Sequence, residues 1–309
     1  MLGLFLRPDA ADLIEASSAD SAVKSHALEV VTKGYTVIRN ALPKSVCDEA
    51  IAAFRAFERT NDHIFVENRD ANGHYPRIIN LHTAFPGLIS LFTGNKTWLA
   101  VQDLLFGAPT ALYTSIFYET GSQQPMHRDT PVFSTRPEYL YFGNTIYLEP
   151  AGDENGCLEV LEGGHTIPEL DREAMALRRY GSLENIPSLD NDIWMEYQDT
   201  VTANGVAKGL PIQKLYVEAG DTLIWHPQLP HRGSPIKDSS RTRFSWVVHT
   251  TPVGVPVYHQ NVFFNPRREF STTPPWGYIA EDGRQIADMR PNGVAFNDKV
   301  YPLEKFRAA

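Results

Sequence analysis

Two histidines and one aspartate, in two separate segments, are the residues best able to bind a metal ion. His127 and Asp129 lie two positions apart. Alternate side chains of an extended chain point to the same side, so this pair can bind one ion while Arg128 faces away. Because an H-x-D pattern occurs often by chance and supplies only two ligands, a further ligand is required from elsewhere in the chain.

The third ligand is expected in segment 225–234. His231 is favoured because it begins a His-x-Gly-Ser turn that leads toward two arginines, and His226 is its rival. Two imidazoles and one carboxylate on one face, with the opposite face open, are the ligand set of non-heme Fe(II) oxygenases. His165 and His249 are expected to be structural.

Two arginines on the strand expected after the His231 turn could bind a carboxylate. The planar guanidinium of arginine offers two parallel donors to such a group. Arg241 and Arg243 have the same parity along the expected strand, so side-chain direction does not choose between them. Arg241 lies nearer the turn, which suits an exposed position at the strand edge.

The elements that must position these residues differ between the two parts of the chain. Helical spacing predicts helices over 22–33, 43–57 and 95–105, with a strand over 35–39 and an irregular segment over 1–20. After residue 110, short β-rich runs alternate with turns and predict strands over 111–119, 144–149, 157–161, 214–217, 221–225 and 243–250. This pattern indicates a mainly β fold, a double-stranded β-helix or jelly roll with helices packed outside.

One segment is too long for an ordinary connection. Residues 179–211 carry Trp194 and Tyr197 among several acids, and we interpret them as a functional insertion. It either orders over the site as a lid or forms a static surface excursion. The whole chain, 1–309, is predicted to form a single domain, with the N-terminal helices packed on the jelly roll.

Composition excludes several classes of function. Hydrophobic residues make up 42% and charged residues 21% of the 309 residues, which is typical of a soluble folded protein. No stretch approaches the ~20 apolar residues of a membrane span. The net charge of −9 disfavours nucleic acid as a partner.

The cysteines and the N-terminus bear on location. Cys47 and Cys157 are too few for a disulfide framework or a thiolate zinc site. The first residues lack the basic region, apolar length and cleavage site of a signal peptide. We therefore expect a cytoplasmic protein.

Several ordered segments together resemble a known family, the phytanoyl-CoA dioxygenase family of Fe(II)- and 2-oxoglutarate-dependent oxygenases. Gly34-Tyr-Thr-Val-Ile-Arg-Asn-Ala-Leu-Pro43 is similar to the family's opening strand and helix, and His127-Arg-Asp129-Thr-Pro to its H-x-D motif. Asn155-Gly-Cys-Leu-Glu-Val-Leu-Glu-Gly-Gly-His165 resembles its N-G-x-L-x-V-x-x-G-S-H segment, with Gly164 in place of serine. The segment from Gly220-Asp221 through His231-Arg-Gly-Ser234 looks like its distal histidine region.

The resemblance implies a set of roles. His127, Asp129 and His231 would bind Fe(II) and be the catalytic residues, and O₂ would be the oxidant. The family's arginine lies six residues before a strand histidine, which implies that Arg243 binds the co-substrate 2-oxoglutarate. Thr145 and Ser234 occupy positions resembling cofactor-lining ones. Relative to the family, Arg232 is one extra residue after His231, and the carboxylate of Asp129 argues against a halogenase.

The expected activity is hydroxylation of a small polar metabolite or a natural-product intermediate. The alternatives are an acyl-CoA hydroxylase of the same family, a cupin-type hydrolase or isomerase with another metal, and a non-catalytic binding module. An acyl-CoA would require a cluster of Lys and Arg around its phosphates. Segments 72–82 and 190–199, expected at the pocket mouth, contain only Arg77 as a full cation, beside His74, Asn80 and His82.

Overall fold

The computed structural model describes residues 3–75 and 77–307. Two helices, Ser21–Lys33 and Lys96–Phe106, begin and end within one residue of the predicted bounds. Asp20 accepts a hydrogen bond from the Ala22 amide at the start of one, and Gly34 ends it with a positive φ of 91°. The α-helices are α1 (Ala10–Ala16), α2 (Ser21–Lys33), α3 (Lys44–Thr60), α4 (Asp62–Phe65), α5 (Ile89–Gly94), α6 (Lys96–Phe106), α7 (Arg172–Tyr180), α8 (Asn191–Ala207) and α9 (Gln260–Phe263).

The strands form one large sheet and two smaller ones. They are β1 (Tyr35–Ile38), β2 (Ile78–Ile79), β3 (Thr110–Tyr118), β4 (Ser134–Thr135), β5 (Phe142–Tyr147), β6 (Leu158–Leu161), β7 (Ile212–Leu215), β8 (Thr222–Trp225), β9 (His231–Gly233), β10 (Ser245–Pro252), β11 (Val257–Tyr258), β12 (Tyr278–Glu281), β13 (Arg284–Ala287), β14 (Val294–Phe296) and β15 (Lys299–Tyr301). The large sheet runs β1-β8-β5-β10-β3-β2-β14-β15, with β13 parallel to β3 and β12 beside it. The smaller sheets are β7-β6-β9 and β11-β4.

Two of these sheets face each other, as in a jelly roll. Buried residues of the large sheet, including Tyr147 and Leu223, pack against Leu158 and Val160 of the β7-β6-β9 sheet. Helices α2, α3 and α6 contribute to a separate buried cluster on the outer face of the large sheet. The predicted fold class, mainly β with flanking helices, is therefore confirmed.

The structure differs from the sequence prediction in several elements. Residues 1–20 were expected to be irregular, but Ala10–Ala16 is helical, and Ile14 anchors it in the core. Two buried side chains, Ala10 and Ile14, are too weak a periodic signal to detect in seven residues. The last predicted strand begins at Ser245 instead of residue 243, so Arg241 and Arg243 precede it.

The predicted insertion over 179–211 contains the whole of the long helix α8. Helices α7 and α8 pack together around a hydrophobic cluster in which Ile193 and Tyr197 are fully buried. Within the part of the chain that the structure describes, no helix combines the length and apolar character needed to cross a membrane.

Candidate metal centre

The two histidines of the predicted triad are held together by their own backbones. The His127 amide donates to the His231 carbonyl at 2.9 Å, and the His231 amide returns the bond at 2.9 Å. His231 opens β9, whereas His127 lies outside the named strands and is paired only through this bridge. This antiparallel pairing brings two segments distant in sequence to one point.

Each histidine is oriented by a hydrogen bond from its Nδ1 atom. His127 Nδ1 lies 2.8 Å from the Pro125 carbonyl, and His231 Nδ1 lies 3.0 Å from the Leu229 carbonyl. A carbonyl can only accept, so both Nδ1 atoms carry the proton and both Nε2 atoms keep a free lone pair. Such fixed tautomers are typical of metal-binding histidines.

Asp129 completes the group: one of its carboxylate oxygens faces the two histidines, and the other accepts hydrogen bonds from neighbouring side chains. Its Oδ1 lies 3.4 Å from His127 Nε2 and 3.7 Å from His231 Nε2. Its Oδ2 accepts hydrogen bonds from Trp225 Nε1 at 3.1 Å and from His249 Nε2 at 3.2 Å. Among the described residues, His127, Asp129 and His231 are the one group of three or more histidine, cysteine and acidic side chains placed to hold a metal ion.

The protonation of the group suits metal binding. Burial opposes ionisation of Asp129, but the surrounding imidazoles of His231, His127 and His249 hold the pKa of its carboxyl well below the usual value. Burial lowers the pKa of His231 to about 4. At neutral pH the site therefore offers a carboxylate and a neutral His231 imidazole.

His127 and Asp129, the predicted H-x-D pair, do not lie on a continuous strand. Asp129 begins a turn, because its carbonyl accepts from the amides of Val132 and Phe133 at 2.9 and 3.0 Å. The two side chains still lie on the same side, since Asp129 Oδ1 lies 3.4 Å from His127 Nε2.

The triad opens into a cavity of about 60 Å³ between the two facing sheets. Arg243 lines the same cavity and is 4% exposed. One of its Nη atoms donates to the Gly156 carbonyl, while its Nε has no partner. Among the described residues no carboxylate pairs with this guanidinium. The cavity is lined by Ile116, Tyr118, Ser122, Gln124, His127, Asp129, Thr145, Tyr147, Leu158, Trp225, His231, Gly233, Arg243, Val247 and His249.

The other sequence candidates are placed differently. Thr145 on β5 lines the cavity. Ser234 is outside the set of described lining residues, and its hydroxyl lies 3.6 Å from the Cys157 thiol. Arg241 is exposed, as its position near the turn suggested.

The rival third ligand, His226, has its contacts in a different part of the core and not with Asp129. Its ring packs against Phe5 and His165, with centroids 5.3 and 5.1 Å away, and its Nδ1 accepts from the Gln228 amide at 3.1 Å. Burial lowers its pKa well below the usual value. His226 is thus committed to the core beside the N-terminal segment.

Sequence reasoning missed two partners of the metal-ligand candidates. Trp225 was seen only as a strand end, and His249 was expected to be structural, yet both hydrogen-bond to Asp129. Trp225 reaches it because Gly143 lies opposite on β5, where an added Cβ would stand 2.0 Å from the indole. A glycine facing a tryptophan is the signal that could have indicated this close approach.

The insertion also touches the site. The ring of Trp194 on α8 lies with its centroid 5.7 Å from that of His127. Gln198, one turn further, exchanges two hydrogen bonds of 2.8 Å with the backbone of Arg128, the residue between His127 and Asp129.

Solved structures with a similar fold come from several sources. The non-heme alpha ketoglutarate dependent carbocyclase SnoK from nogalamycin biosynthesis is 18% identical, with a TM-score of 0.59, over 88% of this chain and 98% of its own. The epimerase SnoN in complex with Fe3+, alpha ketoglutarate and nogalamycin RO is 14% identical, with a TM-score of 0.59, over 86% and 98%. EctD from S. alaskensis with 2-oxoglutarate and 5-hydroxyectoine is 13% identical, with a TM-score of 0.59, over 91% and 93%.

At these identities the likeness shows a shared fold. A search of curated proteins gave no match. The family model described as phytanoyl-CoA dioxygenase (PhyH) matches residues 30–244, a range that includes the three metal-ligand candidates and Arg243. Because this match spans more than half of the 309 residues, the chain belongs to the phytanoyl-CoA dioxygenase family.

Proposed function

We propose that this protein is an Fe(II)- and 2-oxoglutarate-dependent dioxygenase that hydroxylates a small polar molecule. One observation carries the proposal: a buried His-Asp-His group and a buried guanidinium with no described carboxylate partner line the same cavity. Removing a charge from water without a partner costs several kcal/mol. A cavity that keeps such a charge is suited to an anionic co-substrate.

The donor set fits iron. His127 Nε2, His231 Nε2 and Asp129 Oδ1 would hold Fe(II) as two nitrogens and one oxygen on one side, with the cavity on the other. Arg243 would bind the far carboxylate of 2-oxoglutarate, and Thr145 lines the same space. Bound iron and 2-oxoglutarate would supply the oxidation, consuming O₂ and releasing succinate and carbon dioxide.

The protein's own residues would position and shield this chemistry. Trp225 and His249 occupy Asp129 Oδ2 and leave Oδ1 directed at both Nε2 atoms. The apolar walls formed by Ile116, Leu158 and Val247 would limit water at the site. The carbocyclase and epimerase with this fold carry out other outcomes, so hydroxylation is the specific part of the proposal.

The substrate proposal follows from the charges near the site. Of the four mouth residues expected from segment 72–82, Asn80 and His82 are buried and hydrogen-bonded to Thr114 and Ser115. His74 hydrogen-bonds to the Ser239 carbonyl at 3.1 Å. Of these four residues, Arg77 is the one that lines a second cavity, which lies outside the metal cavity. One cation suits a small polar molecule better than the several phosphate charges of an acyl-CoA.

We also propose that residues 1–309 act as one catalytic domain. Near the N-terminus, the Phe5 ring packs on Phe106 and Phe142 of the core. Near the C-terminus, β14 pairs with β2 of the large sheet. The N-terminal part of the described chain therefore packs on the large sheet, and the C-terminal part adds strands to it.

The test is metal binding and succinate formation by the purified protein under anaerobic and then aerobic conditions. Fe(II) should bind at one site per chain, and His231→Ala should lose it while His226→Ala keeps it. Aerobic turnover with 2-oxoglutarate should release succinate, and a library of polar metabolites should stimulate that release. Metal loss in His226→Ala but not in His231→Ala would contradict the ligand assignment, and turnover without succinate would contradict the oxygenase.

A further inference from the structure

A second, larger cavity adjoins the metal cavity. It has a volume of about 280 Å³, and Tyr118, Ser122 and Gln124 line both. Its remaining walls are Tyr75, Arg77, Thr120, Gly121 and Asn297. We call it the outer cavity. A molecule bound in the outer cavity would have one end beside Tyr118, Ser122 and Gln124, the residues that also line the metal cavity.

The polar groups of the outer cavity are free to bind a ligand. Among the described residues, the side chains of Arg77, Tyr118, Ser122, Gln124 and Asn297 have no hydrogen-bond or ion-pair partner. Arg77 is the one cation in the lining, and no lining residue is a carboxylate. The outer cavity therefore combines one positive charge with several neutral donors and acceptors.

Two buried acids that hydrogen-bond to the lining residue Tyr75 already have arginine partners. Glu119 Oε1 pairs with Arg55 at 2.5 Å, and its Oε2 accepts from the Tyr75 amide at 3.1 Å. Glu58 pairs with Arg55 and Arg69 at 2.8 and 2.9 Å. These partners leave the charge of Arg77 available to a ligand in the cavity.

Tyr118 links the two cavities electrostatically. Burial raises the pKa of its phenol, whereas the charges of Arg77 and Arg243 lower it and that of Asp129 raises it. The phenol thus lies within range of both arginines, one proposed for 2-oxoglutarate and one on the outer side.

We propose that Arg77 binds a carboxylate group of the substrate in the outer cavity. This proposal rests on the proposed oxygenase function and specifies its substrate class: a small carboxylic acid carrying hydroxyl or amino groups. The neutral side chains Ser122, Gln124 and Asn297 would bind those groups. A single guanidinium matches the single charge of a carboxylate, whereas a phosphate monoester carries about −1.5 to −2 at neutral pH and calls for more cations.

The experiment is a calorimetric titration of the anaerobic protein loaded with Fe(II) and 2-oxoglutarate. The probes are small hydroxy and amino carboxylic acids, the primary amide of each, and phosphate monoesters of the same size. Arg77→Gln removes the proposed contact. Arg59→Gln, which changes an exposed arginine on α3 with no described partner, is the matched control.

We expect at least one acid to bind at least tenfold more tightly than its amide. Arg77→Gln should abolish that difference and leave 2-oxoglutarate affinity unchanged, while Arg59→Gln should preserve it. The proposal is overturned if no acid binds to protein that still binds 2-oxoglutarate, if the amides or phosphate monoesters bind as tightly as the acids, or if Arg77→Gln keeps the preference. Failure of the wild-type protein to bind Fe(II) and 2-oxoglutarate would instead reject the oxygenase function.

Discussion

At the scale of single residues, the division of work between the two oxygens of Asp129 explains why the carboxylate can serve as a ligand. Oδ2 accepts from Trp225 and His249, which fixes the plane of the group and leaves Oδ1 toward the two imidazoles. A ligand whose orientation is set by neighbours loses less conformational entropy when it binds a metal. The partners of Asp129 are therefore as much part of the site as the ligands.

Arg243 gives the first prediction at this scale. Arg243→Ala should weaken 2-oxoglutarate binding by tenfold or more, because truncating one partner of a buried charge pair costs roughly 2 to 5 kcal/mol. Calorimetric titration of the anaerobic iron-loaded protein measures it. Arg241→Ala is the control, since Arg241 is exposed and outside the lining of the cavity, and a larger loss in Arg241→Ala would transfer the role to that residue.

At the scale of elements, helix α8 is built into the support of the metal-binding segment. The Arg128 guanidinium is fully buried and donates to the carbonyls of Gly164 and Ile167 at 2.9 and 3.2 Å. Gln198 of α8 binds the Arg128 backbone from the other side. Residues 179–211 were predicted to be either a lid or a static surface excursion, and in this structure α8 packs against the metal-binding segment.

Gln198 gives the prediction at this scale. Gln198→Ala should lower Fe(II) affinity by roughly tenfold, in the range seen when the hydrogen-bonded support of metal ligands is lost, because the backbone between His127 and Asp129 loses both contacts. Anaerobic metal titration, at a temperature where the variant is folded, measures the change. Asp199→Ala alters the exposed neighbour on the same helix and should bind metal normally. Equal affinity in both variants would show that α8 does not position the ligands.

At the scale of the whole molecule, a buried histidine beneath the large sheet couples stability to pH. His82 is 2% exposed, its Nδ1 lies 2.7 Å from the Ser115 hydroxyl, and its ring faces Trp246. Burial lowers the pKa of His82 from 6.5 to about 4. Between these two values the unfolded chain binds a proton that the folded chain does not, so stability falls as the pH falls.

The prediction concerns the slope of stability against pH. Replacing His82 by glutamine should make the free energy of unfolding less dependent on pH between about 6 and 4, by at most roughly 1.4 kcal/mol per pH unit for one proton. Urea unfolding at a series of pH values measures this slope. His63→Gln, at an exposed position, is the control, and an unchanged slope in His82→Gln would mean that His82 titrates alike in both states.

Local sequence patterns were sufficient for three of the nine described helices, α2, α3 and α6, for the strands β1, β3, β5, β6, β7, β8 and β10, and for the pairing of His127 with Asp129. Gly34 and Gly107 mark the ends of α2 and α6 because a left-handed residue ends a helix there. The spacing of His127 and Asp129 places two side chains on one side of a short extended segment. The choice of His231 and Arg243 depended further on ordered motifs that resemble a family, and these residues line one cavity.

Only the tertiary structure decided which distant residues complete the site. His249 reaches Asp129 across 120 positions of sequence, Gln198 reaches Arg128 across 70, and Arg77 lines a cavity together with Tyr118 of β3. Periodicity reports which face of an element is buried, but not which element covers that face. That choice is made by strand pairing and close packing among segments far apart in the chain, so it becomes visible only in the folded molecule.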